Sequence, residues 1–254
     1  ELDEAPMLFI GEKLGSGNGP EIDIAVDPVE GTNFVAKNLP GSMSVIAVSE
    51  KGNLFKAPET YMEKIATGKH VPKNTIDLDF TVEENISNYS EATKKKFNQI
   101  TVCLLDRPRH QKIINDLKRL NVNIKYILDG DVTGALLVSD KQFGVDIFMG
   151  TGGGPEGVIA AAALDKLNCK FQGRFLFNSN EDKKRAKKMG IKDLNKKYEI
   201  DEIIRGQSIF CATGITSGDL MNGIVKKNGK YITETIITYN KNILEIVKKE
   251  TSIT

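Results

Sequence analysis

The sequence predicts an α/β protein. Three observations carry that prediction. From Ile100 onward, short apolar runs alternate with stretches of helical period; a glycine-rich segment separates one such run from a buried helical stretch; and the composition, 40% hydrophobic and 27% charged, is that of a globular chain. A chain this apolar offsets its ordering entropy through burial, which excludes disorder. Its 254 residues suffice for one large domain or two lobes.

Residues 22–26 (IDIAV) read as a strand by length and apolar content, and residues 44–49 (SVIAVS) as a second, closed by the turn Lys51-Gly52-Asn53. Residues 60–66 read as a short helix, followed by a loop with Gly68 and Pro72. Residues 100–105 form a strand, and residues 109–120 a helix with Ile113, Ile114, Leu117 and Leu120 on one face. Strands follow at 123–128 and 145–149, then a buried helix at 155–167. This alternation argues for a largely parallel sheet with crossover helices. The charge run 181–188 reads as a solvated helix face, 208–212 and 232–239 as strands, and 213–219 as a polar loop. A lobe boundary is placed near 97–99, after the polar run 90–96, dividing an N-terminal lobe (1–98) from a C-terminal α/β lobe (99–254).

Composition also excludes function classes. Lys and Arg total 35 against 34 Asp and Glu, a net charge of +1, which argues against a polyanion-binding surface. The charge run lacks interleaved aromatics, so no nucleic-acid partner is expected. The longest apolar stretch, residues 158–164, is far short of the ~20 that cross a bilayer, so no membrane partner is expected either. Cys103, Cys169 and Cys211 are too few and too scattered for a disulfide framework or a thiolate zinc site. The acidic opening Glu1-Leu2-Asp3-Glu4 is unlike a signal peptide, which makes the cytoplasm the expected compartment. With no initiator Met, the sequence is expected to begin inside a longer protein.

Four motifs bear on chemistry. In Asp27-Pro28-Val29-Glu30-Gly31-Thr32, directly after the first strand, Asp27 and Glu30 can point into one small volume at the strand's carboxyl end. Two carboxylates that close repel unless a hard cation lies between them, and oxygen-only ligands suit Mg²⁺ or Mn²⁺. Thr32 falls near a helix start, where its hydroxyl and nearby N–H groups can face an anion; the same turn also reads as an acidic helix cap. In residues 150–157 (GTGGGPEG), four glycines before a helix make a loop whose N–H groups can cradle phosphate. A dinucleotide fingerprint fails there, because Pro155 stands where the third glycine belongs and Glu156 where a pyrophosphate would sit. With a metal beside the phosphate Glu156 becomes a ligand; alone it reads as a glutamate favoured by the helix dipole.

In Arg107-Pro108-Arg109-His110 the guanidinium groups lie at the carboxyl end of a strand, where they can clamp phosphate or simply be solvated. His110 reads as a helix-start residue. Asp129-Gly130-Asp131 follows another strand, and its carboxylates can accept sugar hydroxyls, or Asp131 can cap the next helix. Tyr61 reads as a buried or half-buried aromatic.

Together these motifs resemble the class II fructose-1,6-bisphosphatases. The matching text includes Asp3-Glu4-Ala5-Pro6-Met7-Leu8, Ile10-Gly11-Glu12-Lys13, residues 23–32, 57–64, 108–110, 129–131, 152–157 and 212–216, in order along nearly the whole chain. The resemblance implies a metal-dependent sugar phosphatase of the lithium-sensitive superfamily, with a layered α/β/α/β/α sandwich, two lobes and the site between them. It implies Asp27, Glu30 and Glu156 as ligands of Mg²⁺ or Mn²⁺, and Thr32 as the residue that positions the attacking water. It assigns Glu30, Gly31, Thr32, Tyr61, Arg107, Pro108, Arg109, Asp129, Gly130, Asp131 and Gly153 to the bisphosphorylated sugar, and a dimer or tetramer to the assembly. The family has Lys where this chain has Arg107, which keeps the charge. Glu1 resembles the last acid of a Gly-Glu-Gly-Glu run, so a helical upstream segment that partly lines the site is expected.

The activity so implied is hydrolysis of the 1-phosphate of fructose 1,6-bisphosphate. Alternatives are a related substrate, such as sedoheptulose 1,7-bisphosphate or an inositol phosphate, and a phosphosugar-binding regulator without turnover.

Overall fold

The computed structural model describes residues 9–252. Glu1 and the segment 3–8 lie outside the described residues. In chain order the elements are β1 (Ile22–Glu30), α1 (Thr32–Ala36), β2 (Met43–Glu50), β3 (Tyr61–Thr67), α2 (Val82–Thr93), β4 (Thr101–Leu105), α3 (Gln111–Arg119), β5 (Asn123–Ile127), α4 (Asp131–Leu136), β6 (Ile147–Gly153), α5 (Gly154–Lys166), β7 (Lys170–Leu176), α6 (Asn180–Lys188), β8 (Lys197–Glu199), α7 (Ile200–Ile203), β9 (Ser208–Gly214), β10 (Val225–Lys227), β11 (Lys230–Thr238) and β12 (Glu245–Ser252).

The strands form two sheets. The first runs β1-β2-β9-β11, with β10 and β12 both paired to β11, and is antiparallel throughout. The second runs β5-β4-β6-β3-β7-β8. Only β5-β4 and β4-β6 are parallel; β3 pairs antiparallel with β6 and β7, and β7 with β8. The expected largely parallel sheet is therefore corrected. Alternation from residue 100 did build the parallel trio, and β7, which follows α5, runs in the same direction; but β3, from earlier in the chain, inserts antiparallel between β6 and β7, and β8 adds antiparallel to β7. Each sheet draws strands from both sides of residues 97–99.

Residues 60–66 are not a helix. They belong to β3, a central strand held by a neighbour on each edge. The segment Tyr61-Met62-Glu63-Lys64-Ile65-Ala66 contains good helix formers, and long-range pairing overrides that local preference. The glycine-rich stretch is likewise strand rather than loop up to Gly153, since β6 pairs Tyr61 with Gly153 and Lys64 with Gly150.

α4 and α5 fill the space between the sheets. α5 packs on β1, β2 and β9 of one sheet and on β3, β6 and β7 of the other. Its centre, Ala160, Ala161, Ala162 and Ala163, is buried and small, which lets both sheets approach one helix closely. Met43, Val45, Ala47, Met62, Phe148, Phe171 and Phe210 complete this inter-sheet core. A second core, with Ile65, Val102, Leu104 and Ile147 against Ile86, Tyr89, Ile114 and Leu117, binds α2 and α3 to the far face of the second sheet. Among the described residues no helix is long and apolar enough to cross a membrane.

Candidate active site

A bulge creates the acidic focus. Along β1, Asp23, Ala25 and Asp27 lie opposite Ser49, Ala47 and Val45, on the row that faces the helices. A regular strand would next turn Val29 inward. Instead the register shifts between Asp27 and Glu30, so that Glu30 lies opposite Met43 and is buried. The extra residue puts two carboxylates three positions apart on the same face. Pro28, which has no N–H to give a ladder, sits within the bulge, and Asp27 Oδ1 accepts the Val29 N–H at 3.0 Å. Gly31 then turns the chain through a left-handed conformation (φ 76°) into α1, where Thr32 is the exposed first residue.

Glu30 reaches out of the first sheet to the start of α4, where its Oε1 accepts the Val132 N–H at 2.6 Å and the Thr133 N–H at 3.4 Å. Burial, with added repulsion from Asp27, Glu156 and Asp131, raises its carboxyl well above the usual range, and the Val132 bond only partly opposes this. Glu156, in the first turn of α5, is also raised, chiefly by burial; the Lys64 charge pulls the other way. Asp131, in the first turn of α4, is buried and paired with the buried ammonium of Lys64.

The glycines of β6 exist for these side chains. A Cβ on Gly152 would overlap the Asp131 carboxylate, one on Gly153 that of Glu156, and one on Gly150 would press on the His110 ring at 3.1 Å. Two of the N–H groups read as a phosphate cradle are engaged within the chain. The Thr151 N–H donates to His110 Nε2 at 2.7 Å and the Gly154 N–H to the Thr60 carbonyl at 2.8 Å. What the glycines supply is room.

His110 holds this strand in place. Its Nδ1 lies 2.7 Å from the Leu105 carbonyl, which can only accept, so that nitrogen carries the proton and Nε2 receives the Thr151 N–H. Burial lowers its pKa, consistent with a neutral ring.

Around the acidic focus stand the remaining expected residues. Arg107 lies 3.6 Å from Asp129, whose other oxygen accepts both the backbone N–H and the side-chain amide of Asn33 at 3.1 Å. Asp129 therefore ties the start of α1 to the β5–α4 turn, where Gly130 adopts φ 81°. Arg109, exposed within the 3₁₀ turn Pro108–His110, donates Nε–H to the Thr151 carbonyl at 2.8 Å and stacks 5.0 Å above the Tyr61 ring. Tyr61 in turn is registered against Gly153. Sequence reasoning missed Lys64, Asn33 and the bracing role of His110. Only strand alternation at Met62, Lys64 and Ala66 would have marked Lys64 as inward.

Among the described residues no three Asp, Glu, His or Cys side chains converge closely enough to form a complete metal shell. The donor set nevertheless fits a hard cation. Glu156 Oε2 is buried without a hydrogen-bond partner, and Glu30 is buried among like charges. Mg²⁺ is commonly bound by one or two carboxylates, with water and substrate phosphate completing its shell.

Comparison with known proteins shows the family. The model of the family described as "Bacterial fructose-1,6-bisphosphatase, glpX-encoded" matches residues 1–251. A D-fructose 1,6-bisphosphatase class 2/sedoheptulose 1,7-bisphosphatase of Synechococcus sp. (strain JA-3-3Ab) is 40% identical over 92% of this chain and 75% of its own. Fructose-1,6-bisphosphatase 1 class 2 of Escherichia coli (strain K12) is 40% identical over 95% of this chain and 76% of its own. The chain belongs to the bacterial, glpX-encoded fructose-1,6-bisphosphatases, a family of phosphatases.

Proposed function

We propose that the chain hydrolyses the 1-phosphate of fructose 1,6-bisphosphate to fructose 6-phosphate and phosphate, with Mg²⁺ or Mn²⁺ held by Asp27, Glu30 and Glu156. The observation that supports this best is the bulge-focused carboxylate cluster, with its unpartnered buried oxygens, beside the Arg107 and Arg109 turn. When bound, the cation supplies neutralisation of the charge that develops on the transferred phosphoryl group. The chain's own residues supply position. Arg107 and Arg109 anchor the phosphate that stays, and its binding energy orients the one that leaves. Tyr61 stiffens Arg109 from below, and Asp129 aims Arg107. Asp131 Oδ1 accepts a sugar hydroxyl, which its lack of a partner permits. Thr32, one residue beyond Gly31, directs the attacking water through its open hydroxyl.

No covalent intermediate is required. Both His110 nitrogens are engaged, and burial pushes the Cys103 thiol up to about 12, so neither acts as a nucleophile. Sedoheptulose 1,7-bisphosphate is a second substrate reading, favoured by the exposure of Arg109, which leaves space for a longer sugar. The test is phosphate release from both sugars with Mn²⁺ and then with chelator. Turnover abolished by chelator is expected; chelator-resistant turnover would overturn the metal assignment, and none in either condition the phosphatase reading.

A further inference from the structure

Lys64 is 1% exposed, yet it projects from the Met62-Lys64-Ala66 row of β3 into the layer between the sheets. An ammonium there loses its hydration and needs a partner. Asp131 Oδ2 is that partner, and the Lys64 charge also acts on Glu156. The backbone yields on both sides of the pair. A Cβ on Gly157 would come within 3.1 Å of Lys64 Cε, and one on Gly152 would overlap Asp131. Lys166 is equally buried but meets the Gln207 amide at 3.1 Å and Asp165 at 3.6 Å. Burying a lysine in this fold therefore does not by itself demand the acidic cluster.

We propose that the Lys64 ammonium is a permanent cation of the active site. It holds Asp131 with Oδ1 free for a sugar hydroxyl, and it keeps the Asp131 side of the carboxylate cluster from taking up a divalent ion. Lys64 is thus a positioning residue. Asp27, Glu30, Asp131 and Glu156 crowd their carboxyl groups together, and Lys64 is the basic side chain that pairs with this set among the described residues. One ammonium at Asp131 leaves Asp27, Glu30 and Glu156 to the divalent ion. The assignment of Asp131 to a sugar hydroxyl rests on the sugar-bisphosphatase reading; the exclusion of a divalent ion does not.

The experiment is a calorimetric Mn²⁺ titration of metal-free protein, without substrate, for wild type, Lys64→Met, Lys64→Gln and Lys64→Arg, with Lys166→Met as the control for loss of a buried lysine. Removing a positive charge beside the site should tighten Mn²⁺ binding roughly tenfold or add an equivalent in the Met and Gln variants. The Arg and Lys166→Met proteins should titrate as wild type. In turnover, KM of the Met and Gln variants should rise more than kcat falls. A folded Met or Gln variant with wild-type Mn²⁺ affinity and stoichiometry overturns the proposal.

Should both variants fail to fold, the wild-type protein decides. Its Lys64 ammonium resonance, assigned by its loss in Lys64→Arg, should persist under saturating Mg²⁺; its displacement overturns the proposal. An altered Mn²⁺ titration in a protein without turnover would sink the phosphatase reading alone. Normal turnover with unaltered titrations would sink the Lys64 assignment alone.

Discussion

Gly153 and Glu156 compete for one volume: a Cβ on the first would lie within the carboxylate of the second. Gly153 has φ −64° and ψ 145°, an ordinary conformation for alanine. A Gly153→Ala change therefore acts by crowding, not by backbone strain. It should lower kcat/KM about 10²-fold through a displaced Glu156 carboxylate while the metal-free melting temperature barely moves. A normal kcat/KM would mean that Glu156 can leave this position without consequence.

Glu30 is a carboxyl whose protonated form the fold favours. The sign follows from linkage: the folded state holds this proton to higher pH than the unfolded chain, so metal-free stability rises as pH falls through the folded value toward 4.5. Glu30→Gln keeps the oxygen that accepts from Val132 and removes the charge. In chelator near pH 8 this variant should melt higher than wild type, and in Mn²⁺ the order should reverse as wild type gains ligand stabilisation. Activity should be lost. A variant that melts lower in chelator would contradict the repulsion inferred here.

His110 makes the opposite contribution. Its pKa is lowered by burial, so the unfolded chain takes up a proton first as pH falls below 6.5, and stability is lost from there down through the folded value. Urea unfolding at pH 7.5 and 5.5 should show a larger loss for wild type than for His110→Gln. The other histidine, His70, is also lowered by burial and cancels in that comparison. Equal losses would mean that His110 is not buried neutral. His110→Phe should cost about 1–3 kcal/mol for each of the Leu105 and Thr151 groups left unpaired.

Thr32→Ala should lower kcat with KM within about twofold, because the role proposed for it lies in the transition state. An unchanged kcat would remove Thr32 from the mechanism. Asp129→Ala should move both constants, since that carboxylate fixes Arg107 and the Asn33 end of α1 together.

Much of this was legible in local sequence. The strand at 22–26, the helix at 155–167 and the Asp27/Glu30 pair were readable because period and side-chain chemistry are properties of a short window. What was not legible depends on distant partners. Tyr61–Thr67 is a strand because β6 and β7 flank it, 80 residues and more along the chain. The inward direction of Glu30 depends on a bulge that only pairing with β2 reveals. The room that the β6 glycines leave was not legible either, because spacing shows where side chains are absent, not which carboxylates fill the gap. Lys64 escaped notice because its partner, Asp131, is 67 residues away.

The alanines of α5 set a gauge. Glu156 rides on the first turn of that helix, Glu30 comes from one sheet and Lys64 from the other, so the width of the Ala160–Ala163 spacer fixes how far apart the charged groups stand. A larger side chain at Ala161 would act as a shim, spreading Glu30, Lys64 and Glu156 apart without touching any of them. In this architecture the spacing of the charged groups is machined into the apolar interior.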